Sequence, residues 1–90
     1  YTLTFTKTVV RGGLNIFPKW ADKNQETFFY TSIKNHTKPT IYKVYMYQGK
    51  KEKILSSDGM IVCSDVSKNG DKILITMSPN FQTDIYQYDI

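Results

Sequence analysis

The sequence predicts an all-β protein built of antiparallel four-stranded sheets, and three observations carry that expectation. Val66 to Ser78 lines up with Trp20 to Ser32 at an offset of 46, and Asp84 to Ile90 lines up with Thr40 to Met46 at an offset of 44, which places a loop two residues longer before Thr40. A repeat of this period falls where one four-stranded propeller blade would fall. Short runs rich in β-branched and aromatic residues are separated by Gly, Asn and Pro breakers, and no segment shows a capped 3.6-residue apolar period.

Taken in order, Thr2 to Val10 alternates threonine with larger residues, lacks proline and reads as a strand. Arg11-Gly12-Gly13 breaks it, and Leu14 to Trp20 resumes the apolar pattern. Pro18 cannot donate to a ladder, so this strand is expected to be short, at an edge or interrupted. Ala21 to Gln25 is a polar turn, Glu26 to Ser32 a compact aromatic strand, and Ile33 to Pro39 a loop. Thr40 to Tyr47 puts Tyr42, Val44 and Met46 on one face and Ile41, Lys43, Tyr45 and Tyr47 on the other. Bulk on both faces suits a sheet held between neighbours. Gln48 to Lys50 is a hairpin turn, Lys51 to Leu55 a short strand with a charged edge, and Ser56 to Gly59 another turn. Met60 to Val66 then takes the place of Ile16 to Trp20, and Asn69-Gly70 between two apolar runs is the strongest hairpin signal in the chain.

The 90 residues suit one small domain or a piece of a larger one, and 40% hydrophobic residues with 14% aromatics can form a packed core. The net charge of +4 is local. Lys34, Lys38, Lys43, Lys50, Lys51 and Lys53 lie close together in sequence with Glu52 as their counter-charge. Such a cluster reads either as a solvated rim guarding a strand edge or as a footprint for a polyanion. Interleaved Lys43, Tyr45, Tyr47, Lys50, Lys51 and Lys53 resemble a stacking surface for single strands, but an RNA-recognition sheet would also need its Gly-aromatic signature and two helices. Cys63 is the single cysteine, so no disulfide closes within the chain. No run approaches the roughly 20 apolar residues that span a bilayer, and no charged n-region followed by an apolar run marks a signal peptide. Membrane insertion is therefore not expected.

Few residues carry recognisable chemistry. His36 is the lone histidine, in a polar loop among lysines, without a nearby carboxylate to orient it as a base. Cys63 reads as a core thiol. Asp22 to Glu26 opens like a calcium loop, but the positions that need glycine and glutamate hold Thr27 and Ile33. Arg11-Gly-Gly-Leu lacks the spacing of a phosphate-binding loop. Asn35-His-Thr37 is formally a glycosylation triplet. No catalytic residue, metal site or cofactor is expected.

Phe17-Pro-Lys-Trp20, Phe28-Phe-Tyr-Thr-Ser32 and Pro39-Thr-Ile-Tyr42, followed by Ser64-Asp-Val-Ser-Lys-Asn-Gly70, Ile73-Leu-Ile-Thr-Met-Ser-Pro79 and Asp84-Ile-Tyr86, resemble the propeller repeats of the TolB family of the Tol–Pal envelope system. The family turn Ser-Pro-Asp-Gly is lost at Ala21-Asp-Lys-Asn24, and Pro-Asp has become Lys68-Asn69. The resemblance implies a partial β-propeller of about two blades: residues 1–13 as the outer strand of a preceding blade, 14–57 as a complete blade and 58–90 as an incomplete one. It implies a non-enzymatic, periplasmic, protein-binding segment whose partners are a Pal-like peptidoglycan-associated lipoprotein and colicin-like segments, met at the channel mouth. The loops entering the innermost strands would form that mouth and offer Leu14, Asn15, Ile16, Phe17, Met60, Ile61 and Asp65. The apolar members of the set follow glycine turns, and read equally as contact residues or as the first residues of buried strands. Repeats of this type also occur in the propellers that gate serine oligopeptidases, where a Gly-x-Ser-x-Gly segment would mark the hydrolase. Thr2 to Val10 could pair beside Asp84 to Asp89 of a neighbouring copy, making a homo-oligomer by strand exchange.

Overall fold

The computed structural model describes residues 12–23, 26–34, 38–78 and 82–90. Seven strands form within them: β1 (Leu14–Trp20), β2 (Thr27–Ile33), β3 (Thr40–Tyr45), β4 (Lys50–Ser56), β5 (Met60–Val66), β6 (Lys72–Ser78) and β7 (Asp84–Asp89). Every pairing is antiparallel and sequential, giving a four-stranded sheet β1-β2-β3-β4 and a three-stranded sheet β5-β6-β7. This is the meander of propeller blades, as the sequence predicts. The expected strand Thr2 to Val10 and its exchange with a neighbour lie outside the described residues.

Pro18 stays within β1 because the strand meets β2 alone in its sheet and because the register shifts between Ile16 and Lys19. Phe17, at φ 57°, is the residue that takes up the bulge. β5 carries a shift at the matching place, between Cys63 and Asp65. The bulge thus belongs to the repeat.

The strand bounds correct the repeat alignment. β1 maps onto β5 at an offset of 46, but β2 maps onto β6 at 45 and β3 onto β7 at 44. The two extra residues of the first copy are therefore divided, one in each hairpin loop, instead of both preceding Thr40. The first turn closes with Ala21 N–H donating to the Thr27 carbonyl, and the second with Ser67 N–H donating to the Lys72 carbonyl, one residue shorter. A one-residue slip exchanges the two faces of a strand. The structural counterpart of Ile75 is consequently Tyr30 and not Phe29.

The two sheets face one another, with β5 crossing β1, β2 and β3. Between them Ala21, Phe29 and Ile41 of the first sheet and its turn meet Ile61, Cys63, Ile73 and Ile75 of the second. Leu55, Val66, Met77 and Tyr88 close the margins of this core. Burial of each large apolar side chain here contributes about 1.5–3 kcal/mol. Among the described residues a polar group crosses the interface: the fully buried Thr31 hydroxyl donates to the Ile61 carbonyl at 2.7 Å. On the far face of the first sheet Phe28, Tyr30 and Val44 form a second buried cluster with Tyr42 and Met46. Trp20 meets Phe28 edge-on at 6.2 Å, and Tyr30 stacks on Tyr42 at 5.8 Å. The alternation read from Thr40 to Tyr47 holds, with Ile41 toward the second sheet and Val44 away from it.

Candidate protein-binding rim

Antiparallel order brings the starts of β1, β3, β5 and β7 and the ends of β2, β4 and β6 to one edge of the molecule. Leu14 and Met60, repeat counterparts at the first positions of β1 and β5, stand on that edge with 54% and 40% of their surfaces exposed. Beside Leu14 an open groove of about 600 Å³ is lined by Gly12, Gly13, Leu14, Ile33 and Lys34. Gly13 has φ 69°, and a Cβ there would come within 2.8 Å of Lys34 Cγ and 3.0 Å of the Ile33 carbonyl, so the groove depends on glycine at this position. Asn15 Nδ2 donates to the Gly12 carbonyl at 3.0 Å and fixes the approach of the chain to β1.

Further along the edge, the loop before β3 is tied to the loop before β5. Ser57 N–H donates to the Pro39 carbonyl at 3.1 Å, and Lys38 Nζ lies 2.8 Å from Asp58 Oδ1. This hydrogen bond and the opposite charges hold the Lys38 ammonium above its ordinary pKa and the Asp58 carboxyl below its own. Both groups are solvated, so the pair orients the rim more than it stabilises the fold. It went unread in the sequence because the partners come from different loops 20 positions apart.

The set expected at the channel mouth is only partly gathered here. Leu14 and Met60 stand on the rim. Asn15 and Ile16 are half-buried just below it, and Phe17 is 50% exposed at the bulge in mid-strand. Ile61 is fully buried, with its side chain in the core between the sheets and its carbonyl taken by Thr31. It is a core residue and cannot form part of an exposed surface, because alternation turns it inward where Met60 faces out. Asp65 is exposed but lies five residues along β5 from Met60, about 17 Å away at the rise of a strand. It sits toward the opposite edge, pairing with Leu74, with its Oδ1 accepting from Val66 N–H at 2.9 Å.

Other candidate chemistry resolves into structure. Burial pushes the Cys63 thiol up to about 11, against its ordinary 9.0, leaving it protonated at neutral pH. Burial, with Tyr42 adding to it, also raises the Tyr30 hydroxyl. Among the described residues no three His, Cys, Asp or Glu side chains are grouped as metal ligands. His36 and the Asn35-His-Thr37 triplet lie outside the described residues. Lys43 of β3 and Lys50 and Lys51 of β4 lie over the chain's own rings. Lys51 Nζ is 4.6 Å from the Tyr42 centroid, and Lys43 and Lys50 stand 5.2 and 5.3 Å from that of Tyr45. Those ring faces are thus met by lysines rather than left open for bases. No described helix is long and apolar enough to cross a membrane.

Comparison with known proteins gives a consistent relationship. The chain is 49% identical over 90 residues to the Tol-Pal system protein TolB of Wolinella succinogenes, a match covering 99% of this chain and 21% of the relative. It is 54% identical over 79 residues to the TolB of a Campylobacter jejuni strain, covering 88% of this chain and 19% of that protein. The TolB of Helicobacter pylori is 43% identical over 90 residues. The chain spans about a fifth of the length of the curated relatives it matches. No family model matches, and no solved structure matches.

Proposed function

Because this chain is a segment of the TolB family, we propose that it is a non-enzymatic, periplasmic, protein-binding part of a propeller, with the rim around Leu14 and Met60 as its contact surface for a Pal-like lipoprotein. In this reading the four-stranded sheet is one complete blade and the three-stranded sheet the inner part of the next. The observation that carries it is the repeated placement of exposed apolar side chains at one edge. Two counterpart residues at the first positions of two first strands are large, apolar and solvated, beside a groove shaped by Gly13. Exposed apolar groups rimmed by polar ones mark protein contacts, and colicin-like segments would compete for the same groups.

The test is titration calorimetry of Pal against the full-length protein carrying Leu14→Asp or Met60→Asp. Each change at an interface centre should weaken binding by a kilocalorie or more, with the melting temperature unchanged. Lys51→Glu with Lys53→Glu, on the outermost strand of the first sheet, should leave binding near the parent value. Unchanged affinity in both rim variants, or a larger loss from the lysine pair, would overturn the assignment.

A further inference from the structure

The hairpin that joins β3 to β4 turns at the end of the first sheet opposite the rim, and its strands gather Lys43, Lys50, Lys51 and Lys53 at one corner. β4 meets β3 alone in its sheet, so its other edge is open. Cross-strand partners share a face, which puts Lys50 with Tyr45 on the side turned to the second sheet and Lys51 and Lys53, opposite Val44 and Tyr42, on the far side. Ammonium groups thus stand on both sides of the open edge. Lys43 and Lys50 converge on the Tyr45 ring, with Nζ 5.2 and 5.3 Å from its centroid, and Lys51 lies over Tyr42. A ring orients an ammonium without supplying a counter-charge. Among the described residues no carboxylate forms an ion pair with any of the four, and the pair that does form, Lys38 with Asp58, belongs to the rim. Glu52, opposite Lys43, and Glu26, whose carbonyl accepts from Met46 N–H, offset only part of the charge. The corner keeps a positive field, and Tyr47 stands at its tip with 75% of its surface exposed.

We propose that this hairpin docks edge-on against an anionic phospholipid bilayer, with Lys43, Lys50, Lys51 and Lys53 toward the lipid phosphates and the Tyr47 ring at the level of the headgroups. The contact is adsorption to the surface, without insertion across it. Cations on both sides of one edge are met together only by a partner that is broad along that edge, and a layer of phosphate headgroups is broad and of opposite sign. An exposed tyrosine among lysines suits the same boundary, since its ring is apolar and its hydroxyl is wet. An added β-strand is a poor occupant. The register shift between Ile41 and Tyr42 leaves Ile54 without a partner in β4, and a bulge with flanking lysines is how edge strands avoid pairing. A single nucleic-acid strand would stack on the faces of Tyr42 and Tyr45, which lysines already meet. The surface does not depend on the lipoprotein reading, because the rim lies at the other end of the strands.

Co-sedimentation of the full-length protein with vesicles tests this. The probe is a vesicle of phosphatidylcholine and phosphatidylglycerol at roughly 7:3, with pure phosphatidylcholine as the neutral reference. The parent should bind the anionic vesicles, leave the neutral ones, and be released when salt rises from about 0.1 M to about 1 M. Each lysine near such a surface changes partitioning about fivefold, so Lys51→Gln with Lys53→Gln should lower it on the order of 25-fold. Lys51→Arg with Lys53→Arg keeps the charge and should restore binding. Lys68→Gln with Lys72→Gln removes as much charge from exposed positions of the second sheet and its turn, and should leave partitioning near the parent value. Tyr47→Ser should weaken binding without altering its salt dependence. The rim variant Leu14→Asp should bind vesicles as the parent does, so this surface and the lipoprotein contact fail separately. Equal binding to both vesicles, or equal losses from the two lysine pairs, would overturn the proposal. Displacement of the protein from vesicles by stoichiometric oligothymidylate would do so as well, since it would assign the corner to a nucleic-acid strand.

Discussion

The hydroxyl of Thr31 and the carbonyl of Ile61, 30 residues apart and 2.7 Å from one another, tie the first sheet to the second inside an otherwise apolar interface. Removing the donor leaves a carbonyl buried without a partner, which costs about 1–3 kcal/mol. Thr31→Val keeps the shape and loses that bond, so urea denaturation should show a drop of this size. Thr31→Ser keeps the donor, loses one methyl and should cost about 0.8 kcal/mol. A valine variant more stable than the serine variant would show that the bond contributes nothing net.

Two glycines separate strain from contact. Gly49 and Gly70 both have positive φ, 63° and 76°, but a Cβ at Gly49 meets open space while one at Gly70 would lie 2.9 Å from the Ala21 carbonyl. The turn after β5 packs on the turn after β1 at this point. Gly49→Ala should therefore cost only the left-handed strain of about 1–2 kcal/mol, and Gly70→Ala more, because a main-chain atom must also move. Thermal melts of the two variants give the comparison directly. Equal losses would mean that the turns do not bear on one another.

These turns also show where the sequence was legible. The strands, their order and the faces of β3 follow from alternation and turn residues, each of which is local. The offset of the second strand was not. Phe28-Phe29-Tyr30 and Ile73-Leu74-Ile75 are apolar on both faces, so composition fits either register and only the cross-strand pairing decides it. The same ambiguity put Ile61 beside Met60 as a contact residue. Both are apolar and lie within two residues of Gly59, and only the covering sheet distinguishes the buried one. Thr31 could have been noticed as a hydroxyl inside an aromatic run with a counterpart at Thr76, once the offset of 45 was used.

Cys63 makes stability depend on pH in alkali. Its thiol titrates near 11 in the folded chain and near 9.0 when exposed, so above pH 9 the unfolded state loses a proton that the folded state retains. The protonated, buried thiol contributes stability that is fully present below pH 9 and is lost as pH rises toward 11. The loss is on the order of 2 kcal/mol from this group. The quantity to read is the difference between parent and Cys63→Ala, which isolates this thiol. The alanine variant should start less stable and fall less steeply. Parallel curves would mean that the thiol is not desolvated in the fold.

Loop length and strand register respond differently to one added residue, and the repeat provides both cases. The turn between β1 and β2 is already one residue longer than that between β5 and β6, and the sheets around both are alike. A turn therefore absorbs a residue without moving the strands. Inserting a glycine after Lys23, which is exposed, should cost well under about 1 kcal/mol, since closure entropy grows slowly with length. Inserting the same glycine between Phe28 and Phe29 cannot be absorbed. Either β2 bulges out of its ladders with both β1 and β3, or everything beyond the insertion changes face, taking Phe29 out of the intersheet core and presenting Thr31 to the wrong side. The loss of the Phe29 contacts alone is worth about 3–5 kcal/mol, enough to abolish a cooperative melt in a domain of ordinary stability. Circular dichroism melts of the two insertions decide the matter: a strand insertion that melts near the turn insertion would mean that β2 is not fixed in register by the core it buries.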